Sequence, residues 1–140
     1  LWQQTSGKIT HLAAALGTSG TFVGTSRFLK EVQPGVHCVA VQPDSPFHGI
    51  EGLKHMESSL VPGIWDERVA DEQIAAPTEE SLSLVRDLAR IEGLLVGSST
   101  GAALWAGLAV AERLKNGLVV VIAPDSGERY LSEKHLWEQQ

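Results

Sequence analysis

Short apolar runs alternate along this chain with longer stretches whose apolar residues recur at helical spacing. The strand-like runs cover residues 9–16, 36–41, 69–75, 94–96 and 118–123. The helix-like stretches cover residues 21–32, 78–93, 100–115 and 130–137. This order is typical of an α/β protein, in which a mostly parallel sheet carries helices on both faces. We expect one domain that spans residues 1–140.

The longest break in this alternation lies at residues 43–66, where no helical or strand period is sustained. This stretch is interrupted by Pro43, Pro46, Gly49, Gly52, Pro62 and Gly63. Its apolar residues predict that it packs against the domain: Leu53, Met56, Leu60, Val61 and Trp65. We therefore interpret it as a functional loop.

In the first helix-like stretch, residues 21–32, the apolar spacing predicts an inner face of Phe22, Phe28, Leu29 and Val32.

The charge and composition exclude several classes of partner. The net charge is −6 and no run of lysine or arginine occurs, so neither nucleic acid nor an acidic membrane surface is predicted as a partner. The apolar run 118–123 is far shorter than the roughly 20 residues that span a bilayer. A lone cysteine, Cys38, leaves no internal disulfide and is compatible with a reducing cytoplasm.

Three of the predicted strands end at turns rich in glycine and serine. Residues 17–21 read Gly-Thr-Ser-Gly-Thr, residues 97–101 read Gly-Ser-Ser-Thr-Gly, and residues 124–129 read Pro-Asp-Ser-Gly-Glu-Arg. If the strands are parallel, all three turns lie along the carboxyl edge of the sheet, where ligands bind in open α/β proteins. The pattern therefore predicts one ligand site built from three turns.

The first of these turns has the composition of an anion site. Two glycines remove side-chain bulk, and Thr18, Ser19 and Thr21 supply hydroxyl donors ahead of a helix. The amino end of a helix adds free backbone amides and a positive partial charge. A plain turn capped by one serine or threonine is the alternative. Five small polar residues exceed what a cap requires, so we favour the anion site.

Two familiar phosphate motifs and the common metal sites do not fit. A Walker loop needs lysine after glycine, and a dinucleotide fingerprint needs a different glycine spacing and an acidic residue after the second strand. That strand ends in Gln42 and Pro43. His48 and His55 lie seven residues apart, which matches no standard zinc spacing. No metal site is predicted.

The second and third turns each allow two interpretations. Ser99 is either a neutral hydrogen-bonding group above the sheet or one of several helix caps, and the residue types favour neither. In the third turn, Asp125, Glu128 and Arg129 favour a solvated turn with a surface ion pair.

These motifs together resemble one enzyme family. Residues 17–24 resemble the phosphate loop of fold-type II pyridoxal-phosphate enzymes, specifically cysteine synthase (O-acetylserine sulfhydrylase), although that family usually has glycine where Ser19 stands. Residues 97–101 are similar to the family's turn whose middle serine bonds the pyridine nitrogen. Residues 127–132 are similar to the segment after its last strand. The loop sequences 49–53 and 61–64 resemble its active-site entrance, closest to the cysteine synthase B or cystathionine β-synthase-like branches.

The resemblance implies a site and a fold. The implied fold is part of the larger lobe of a fold-type II enzyme, with the tryptophan synthase β-like fold. The implied residues for pyridoxal 5′-phosphate are Gly17, Thr18, Ser19, Gly20, Thr21 and Ser99. The implied candidates for the substrate loop are Gly49, Ile50, Glu51 and Gly52.

The resemblance also implies that part of the active site lies outside this sequence. In the family, the Schiff-base lysine and the loop that grips the substrate carboxylate belong to an amino-terminal half. None of the five lysines here has that context: Lys8, Lys30, Lys54, Lys115 and Lys134. We therefore expect a carboxyl-terminal portion of the enzyme, with no catalytic residue of its own.

For the intact enzyme, the resemblance implies cysteine biosynthesis by β-replacement on O-acetylserine, or a related activated serine, with sulfide. A cytoplasmic homodimer with small-molecule substrates is the implied state. Three alternatives remain open at this point: a cystathionine β-synthase-like enzyme, a non-catalytic domain that binds pyridoxal phosphate or phosphate, and an inert fragment.

Overall fold

A computed structural model describes residues 1–137 and places their strands in a single parallel sheet. The strands are β1 (His11–Ala15), β2 (His37–Pro43), β3 (Glu72–Ala76) and β4 (Val119–Val121). Their order is β3-β2-β1-β4, and every neighbouring pair is parallel. The helices are α1 (Gly20–Val32), α2 (Thr78–Asp87), α3 (Ser98–Arg113) and α4 (Lys134–Trp137). The predicted α/β class and parallel sheet are confirmed.

The two faces of the sheet carry separate parts of the core, because successive side chains on a strand point to opposite faces. On one face, Leu12 and Ala14 of β1 pack with the cluster that includes Phe22 and Leu29 of α1. On the other face, Ala13 of β1 packs with the cluster that contains these residues of α3: Ala102, Ala106 and Val110. Helices therefore cover both faces, as the sequence pattern predicts.

Helix α2 lies against α3 rather than against the sheet. At Gly101 a Cβ atom would collide with the backbone of Ser81 and would lie 2.7 Å from Val85 Cγ2, so the two helices approach closely only because residue 101 is glycine. Residues 98–103 of α3 are buried, as their lack of charge predicts, whereas Leu108 in the third turn is 45% exposed. This packing fixes the amino end of α3, which carries Ser99.

The strand predicted at residues 94–96 does not form. Leu94 is 54% exposed and Leu95 is 38% exposed, and Val96 makes only an isolated antiparallel bridge to Ser126. Val96 packs instead with Leu82, Val85 and Leu136, outside the sheet. The apolar composition of residues 94–96 predicted burial, and only Val96 is buried. A run of three residues with no neighbouring strand cannot form the hydrogen bonds of a sheet.

Other boundaries shift by a few residues. Strand β3 starts at Glu72 rather than at residue 69, because Glu67–Val69 forms a 3-10 turn that Asp66 caps. Helix α2 continues as a π-helical turn, Leu88–Glu92, and Gly93 ends it in the left-handed conformation. The predicted terminal helix is two short elements, the 3-10 turn Gly127–Tyr130 and α4.

Part of the predicted packing is also wrong. Phe28 is 50% exposed and Val32 is exposed, whereas Phe22 and Leu29 are fully buried. Within the long loop Met56 is buried, and Leu53 and Trp65 pack against the core. The remaining two loop residues that we expected to pack, Leu60 and Val61, are exposed.

Within residues 1–137, no helix is long and apolar enough to cross a membrane. The same residues contain no group of three or more His, Cys, Asp or Glu side chains that could hold a metal ion.

Candidate functional site

A cleft of about 280 Å³ opens at the carboxyl edge of the sheet, between the ends of β1 and β4 and the amino end of α3. All three turns that the sequence singled out contribute to it. Its lining comprises Ala14, Ala15, Gly17, Thr18, Ser19, Thr21, Glu51, Gly52, Leu53, Ser99, Ile122, Pro124, Asp125 and Tyr130. The structure therefore brings together parts of the chain that are more than a hundred residues apart in sequence.

The first turn forms one wall of this cleft. Ser19 precedes α1 in the left-handed conformation, with φ 69°, and its side chain makes no capping hydrogen bond. Its hydroxyl oxygen is buried and has no partner among the described residues. Thr18 and Thr21 are exposed, and both line the cleft. Simple capping by a side chain does not account for this turn.

The long loop is docked directly onto the same turn. The Lys54 amide donates to the Leu16 carbonyl at 2.8 Å. A Cβ atom on Gly17 would collide with the Gly52 carbonyl oxygen, and Gly52 itself has φ +79°. Glycine is therefore required at position 17 for close approach and is favoured at position 52 by its backbone conformation.

Three of the proposed site residues do not line the cleft. Gly20 begins α1 and does not line the cavity. Ile50 is buried in the core against the second face of the sheet. Gly49 lies beside the Thr78 side chain: a Cβ atom added to Gly49 would be 3.6 Å from Thr78 Cγ2. Of the four residues predicted for the substrate loop, Glu51 and Gly52 reach the cleft.

Ser99 lies in the first turn of α3 and lines the cleft. The residue before the helix is Gly97, and no side chain caps it. Thus the capping alternative for Ser98, Ser99 and Thr100 is not what the structure shows. Ser99 is 7% exposed, so most of its surface is covered by neighbouring residues.

The sequence did not identify Asp125 and Tyr130 as members of the site. The Tyr130 hydroxyl donates to Asp125 Oδ2, and both side chains line the cleft. This hydrogen bond, with burial and the Asp125 charge, raises the pKa of Tyr130 to about 12. The predicted solvated ion pair is therefore wrong for Asp125, whereas Glu128 and Arg129 are exposed as expected. The predicted convergence of three turns placed residues 124–129 at this edge of the sheet, and the match of residues 127–132 to a family segment also pointed here, but neither assigned a role to Asp125 or Tyr130.

The arrangement suits a ligand with an anionic group and an aromatic or apolar body. The amides in the first turn of a helix lack partners within the helix, and the helix dipole favours negative charge there. The hydroxyls of Thr18 and Thr21 add donors, while Ile122 and Pro124 add apolar surface.

The description of the family model that matches this chain is pyridoxal-phosphate dependent enzyme, and the match covers residues 1–125. The chain belongs to this family. The predicted family is therefore confirmed. The buried, unpartnered Ser19 hydroxyl and the Thr18 and Thr21 hydroxyls that line the cleft fit the phosphate of the family's cofactor, and Ser99 fits a neutral partner for a ring nitrogen.

Curated members of the pyridoxal-phosphate family are similar over almost all of this chain. Cysteine synthase of Aquifex aeolicus is 48% identical over 136 residues, which cover 94% of this chain and 42% of that protein. O-acetylserine dependent cystathionine beta-synthase of Bacillus subtilis is 38% identical over 140 residues, which cover 96% of this chain and 46% of that protein. The chain spans less than half the length of these relatives.

Solved structures agree with the family and the fold. O-acetyl serine sulfhydrylase isoform 3 of Entamoeba histolytica superimposes with a TM-score of 0.91 at 33% sequence identity. The superposition covers 99% of this chain and 44% of that structure.

Proposed function

We propose that the protein carrying this chain is a pyridoxal-phosphate dependent cysteine synthase. The reaction is β-replacement: an activated serine, O-acetylserine or a close relative, loses its β-substituent, and sulfide takes its place to give cysteine. The supporting observation is that one cleft unites the 17–21 turn, Ser99 and the 51–52 segment of the loop. The similarity to cysteine synthases over 94% of the chain supports the choice of substrate.

Each part of the cleft has a distinct proposed role. Residues 17–21 hold the cofactor phosphate through backbone amides and the hydroxyls of Thr18, Ser19 and Thr21. Ser99 faces the pyridine nitrogen with a neutral hydroxyl. Residues 49–52 belong to the loop that covers the amino-acid substrate. When bound, pyridoxal phosphate supplies the electron sink for loss of the α-proton and the β-substituent.

We also propose that this chain is the carboxyl-terminal portion of the enzyme, and that the lysine which binds the cofactor and moves the α-proton belongs to another part. Within residues 1–137 no lysine lines the cleft. The intact enzyme is proposed to be a cytoplasmic homodimer, with a small-molecule amino acid and sulfide as its substrates.

The test is an assay of the intact protein loaded with pyridoxal phosphate. We expect cysteine from O-acetylserine and sulfide, with a much slower reaction when homocysteine replaces sulfide. Faster formation of cystathionine than of cysteine would assign the protein to the cystathionine β-synthase-like alternative. If the cofactor binds but neither product forms, the protein is a binding domain, and the proposed reaction is wrong.

A further inference from the structure

Two histidine side chains lie together at the amino edge of the sheet, where the parallel strands begin and which is opposite the cleft. His11 is the first residue of β1 and His37 the first of β2, and the register of the two strands places them side by side. Their ring centroids are 5.4 Å apart, with the rings tilted by 50°. Neither imidazole lines the cleft, so the pair has no part in the proposed reaction.

The alternation of side chains along a strand places both rings on the face that α3 covers. Ala13 and Val39, two residues further along their strands, belong to the core cluster that α3 shares with the sheet. His11 and His37 therefore lie on that same face. Helix α3 begins at the cleft and ends at Arg113, which brings a guanidinium to this edge.

Each ring contacts a polar neighbour. His11 Nδ1 lies 2.9 Å from Thr10 Oγ1, and His37 Nε2 lies 3.4 Å from Glu72 Oε2. Arg113 Nη2 donates to both carboxylate oxygens of Glu72, at 2.9 and 3.1 Å. One carboxylate at the start of β3 is thus shared between His37 and the end of α3.

The same few residues join three strands of the sheet. The His37 amide donates to the Thr10 carbonyl at 2.9 Å, which links β2 to β1. The Thr10 amide donates to the Leu118 carbonyl at 3.0 Å, and the Leu118 amide donates back to Thr10 Oγ1 at 2.9 Å, which links β1 to the start of β4. Repulsion between the two rings would therefore act where β1, β2 and β4 are held together.

The charges around His11 oppose a second proton at this edge. Burial is the main cause that lowers the pKa of His11 below its ordinary 6.5, the charges of His37 and Arg113 lower it further, and Glu72 raises it. Just below pH 6.5 the folded chain therefore binds fewer protons at His11 than the unfolded chain does. By linkage, stability is lost as the pH falls through this range.

The second side of His37 offers little compensation. Asp71 interacts electrostatically with His37, but its carboxylate is paired with Lys30 of α1, with Nζ 2.7 Å from Oδ1. Both carboxylates near the histidine pair, those of Asp71 and Glu72, are therefore bound to a cation that stays charged in mild acid.

We propose that the His11–His37 pair is a pH-sensitive switch, which holds the amino edge of the sheet together at neutral pH and loosens it as the pH falls below about 6. At neutral pH the rings pack side by side with at most one charge between them. In mild acid both rings are charged, and they repel each other across the β1–β2 pair. This inference goes beyond the proposed function, because it requires neither cofactor nor substrate.

The first test follows the imidazoles directly, in the intact protein with ¹³C-labelled histidine rings, by NMR against pH. His37→Gln keeps a hydrogen-bonding group near Glu72 but removes the charge, so the protonation midpoint of His11 should rise by about 0.5 pH unit, as for unit charges at this separation in water. Glu72→Gln removes the favourable carboxylate, so the same midpoint should fall. His55→Gln, in the long loop, is the control and should leave the midpoint of His11 unchanged.

Opposite shifts in the two variants support the proposal, because general damage to this edge would move both midpoints in one direction. A midpoint of His11 that does not rise in His37→Gln would show that the two rings are not coupled, and the switch would be excluded.

The second test asks whether this coupling holds the edge together. The melting temperature of the intact parent should fall between pH 7.5 and pH 5, and His11→Asn, which keeps an amide near Thr10, should flatten that fall. Glu72→Gln should steepen it. A His11→Asn curve with the slope of the parent overturns the proposal, whatever the titration shows. Should His37→Gln fail to fold, this curve decides alone: a flatter fall supports the switch, and an unchanged slope excludes it.

Discussion

At the scale of single residues, the hydroxyls of Thr18 and Thr21 are the most direct probes of the cleft. Both side chains line it, and neither is part of the buried core. A hydrogen bond to a charged group contributes about 1.5–3 kcal/mol, so loss of both hydroxyls should weaken pyridoxal-phosphate binding by at least tenfold. Fluorescence titration of Thr18→Ala/Thr21→Ala measures this change. Thr25→Ala, one turn further along α1, is the control and should bind as the parent does.

Asp66 provides a prediction about stability against pH. It accepts from the Arg68 side chain at 2.8 Å and from Arg27 of α1 at 3.2 Å. The Arg68 hydrogen bond is the main cause that lowers the pKa of Asp66 from its ordinary 3.8 to about 2. Between about pH 2 and pH 4, the folded state therefore binds fewer protons at Asp66 than the unfolded state does. The stabilisation is present above pH 4 and is lost as the pH falls towards 2.

Asp66→Asn should therefore flatten the fall in melting temperature between pH 5 and pH 2.5. Asp44→Asn is the comparison, since Asp44 is exposed and takes part in none of the ion pairs found among residues 1–137. A melting curve of Asp66→Asn that follows the parent at every pH would show that this contact contributes nothing to the folded state.

The same scale shows why the inner face of α1 was only partly predictable. A helix advances about 100° per residue, so Leu29 lies almost directly below Phe22, while Phe28 lies about 120° away from it. The sequence pattern assigned Phe28 to the inner face, although this angle places it away from Phe22 and Leu29. Angle, rather than residue type, decides burial here, and Phe28 is 50% exposed as a result.

At the scale of elements, the contact between the first turn and the long loop is the feature that shapes the cleft. Gly17→Ala would place a methyl group against the Gly52 carbonyl, so the loop must move away from the end of β1. We expect a loss of about 1–3 kcal/mol in the free energy of unfolding, together with weaker cofactor binding. Urea denaturation and fluorescence titration measure the two effects.

Gly24→Ala is the matched substitution, because it lies in α1 with open space around its Cβ position. It should raise the free energy of unfolding by roughly 0.8–1 kcal/mol through better helix propensity. If both variants changed stability equally, close packing of the loop on Gly17 could not be the reason for glycine at that position.

Element boundaries were predicted best where local chemistry decides them. Thr78 and Gly93 bracket a helical segment whose first turn is acidic and whose last turn is basic, and the structure has helical turns across that range. Residues 94–96 were assigned to a strand because they are a short apolar run between two helix-like stretches and are followed by Gly97. Whether such a run joins a sheet depends on a neighbouring strand, which sequence pattern does not contain.

For the whole molecule, the distribution of lysines leads to a prediction about covalent chemistry. Lys30 is paired with Asp71 at the far side of α1, with Nζ 2.7 Å from Oδ1. Lys54 Nζ donates to the Leu60 carbonyl at 3.4 Å. Neither these two nor the remaining lysines of residues 1–137 line the cleft. We therefore expect this chain by itself to bind pyridoxal phosphate without forming a covalent bond to it.

Borohydride reduction followed by peptide mass spectrometry measures covalent attachment. Free amines react with pyridoxal phosphate at random, so a low, even label across all five lysines is the background. Stoichiometric label on one lysine would show that the chain carries its own attachment site, and the proposal that another part of the enzyme supplies it would be wrong.

The order of strands in the sheet has a consequence for how the chain folds. His11 of β1 pairs with His37 of β2 but also with Val119 of β4, which is about four times as far along the chain. Closing the longer loop costs about 1 kcal/mol more entropy than closing the shorter one. The β1-β2-β3 unit is therefore expected to assemble first, and β4 to join last. Because β4 brings the turn with Asp125, the cleft is completed only in that final step, and a cofactor that binds there would select fully folded molecules over partly folded ones.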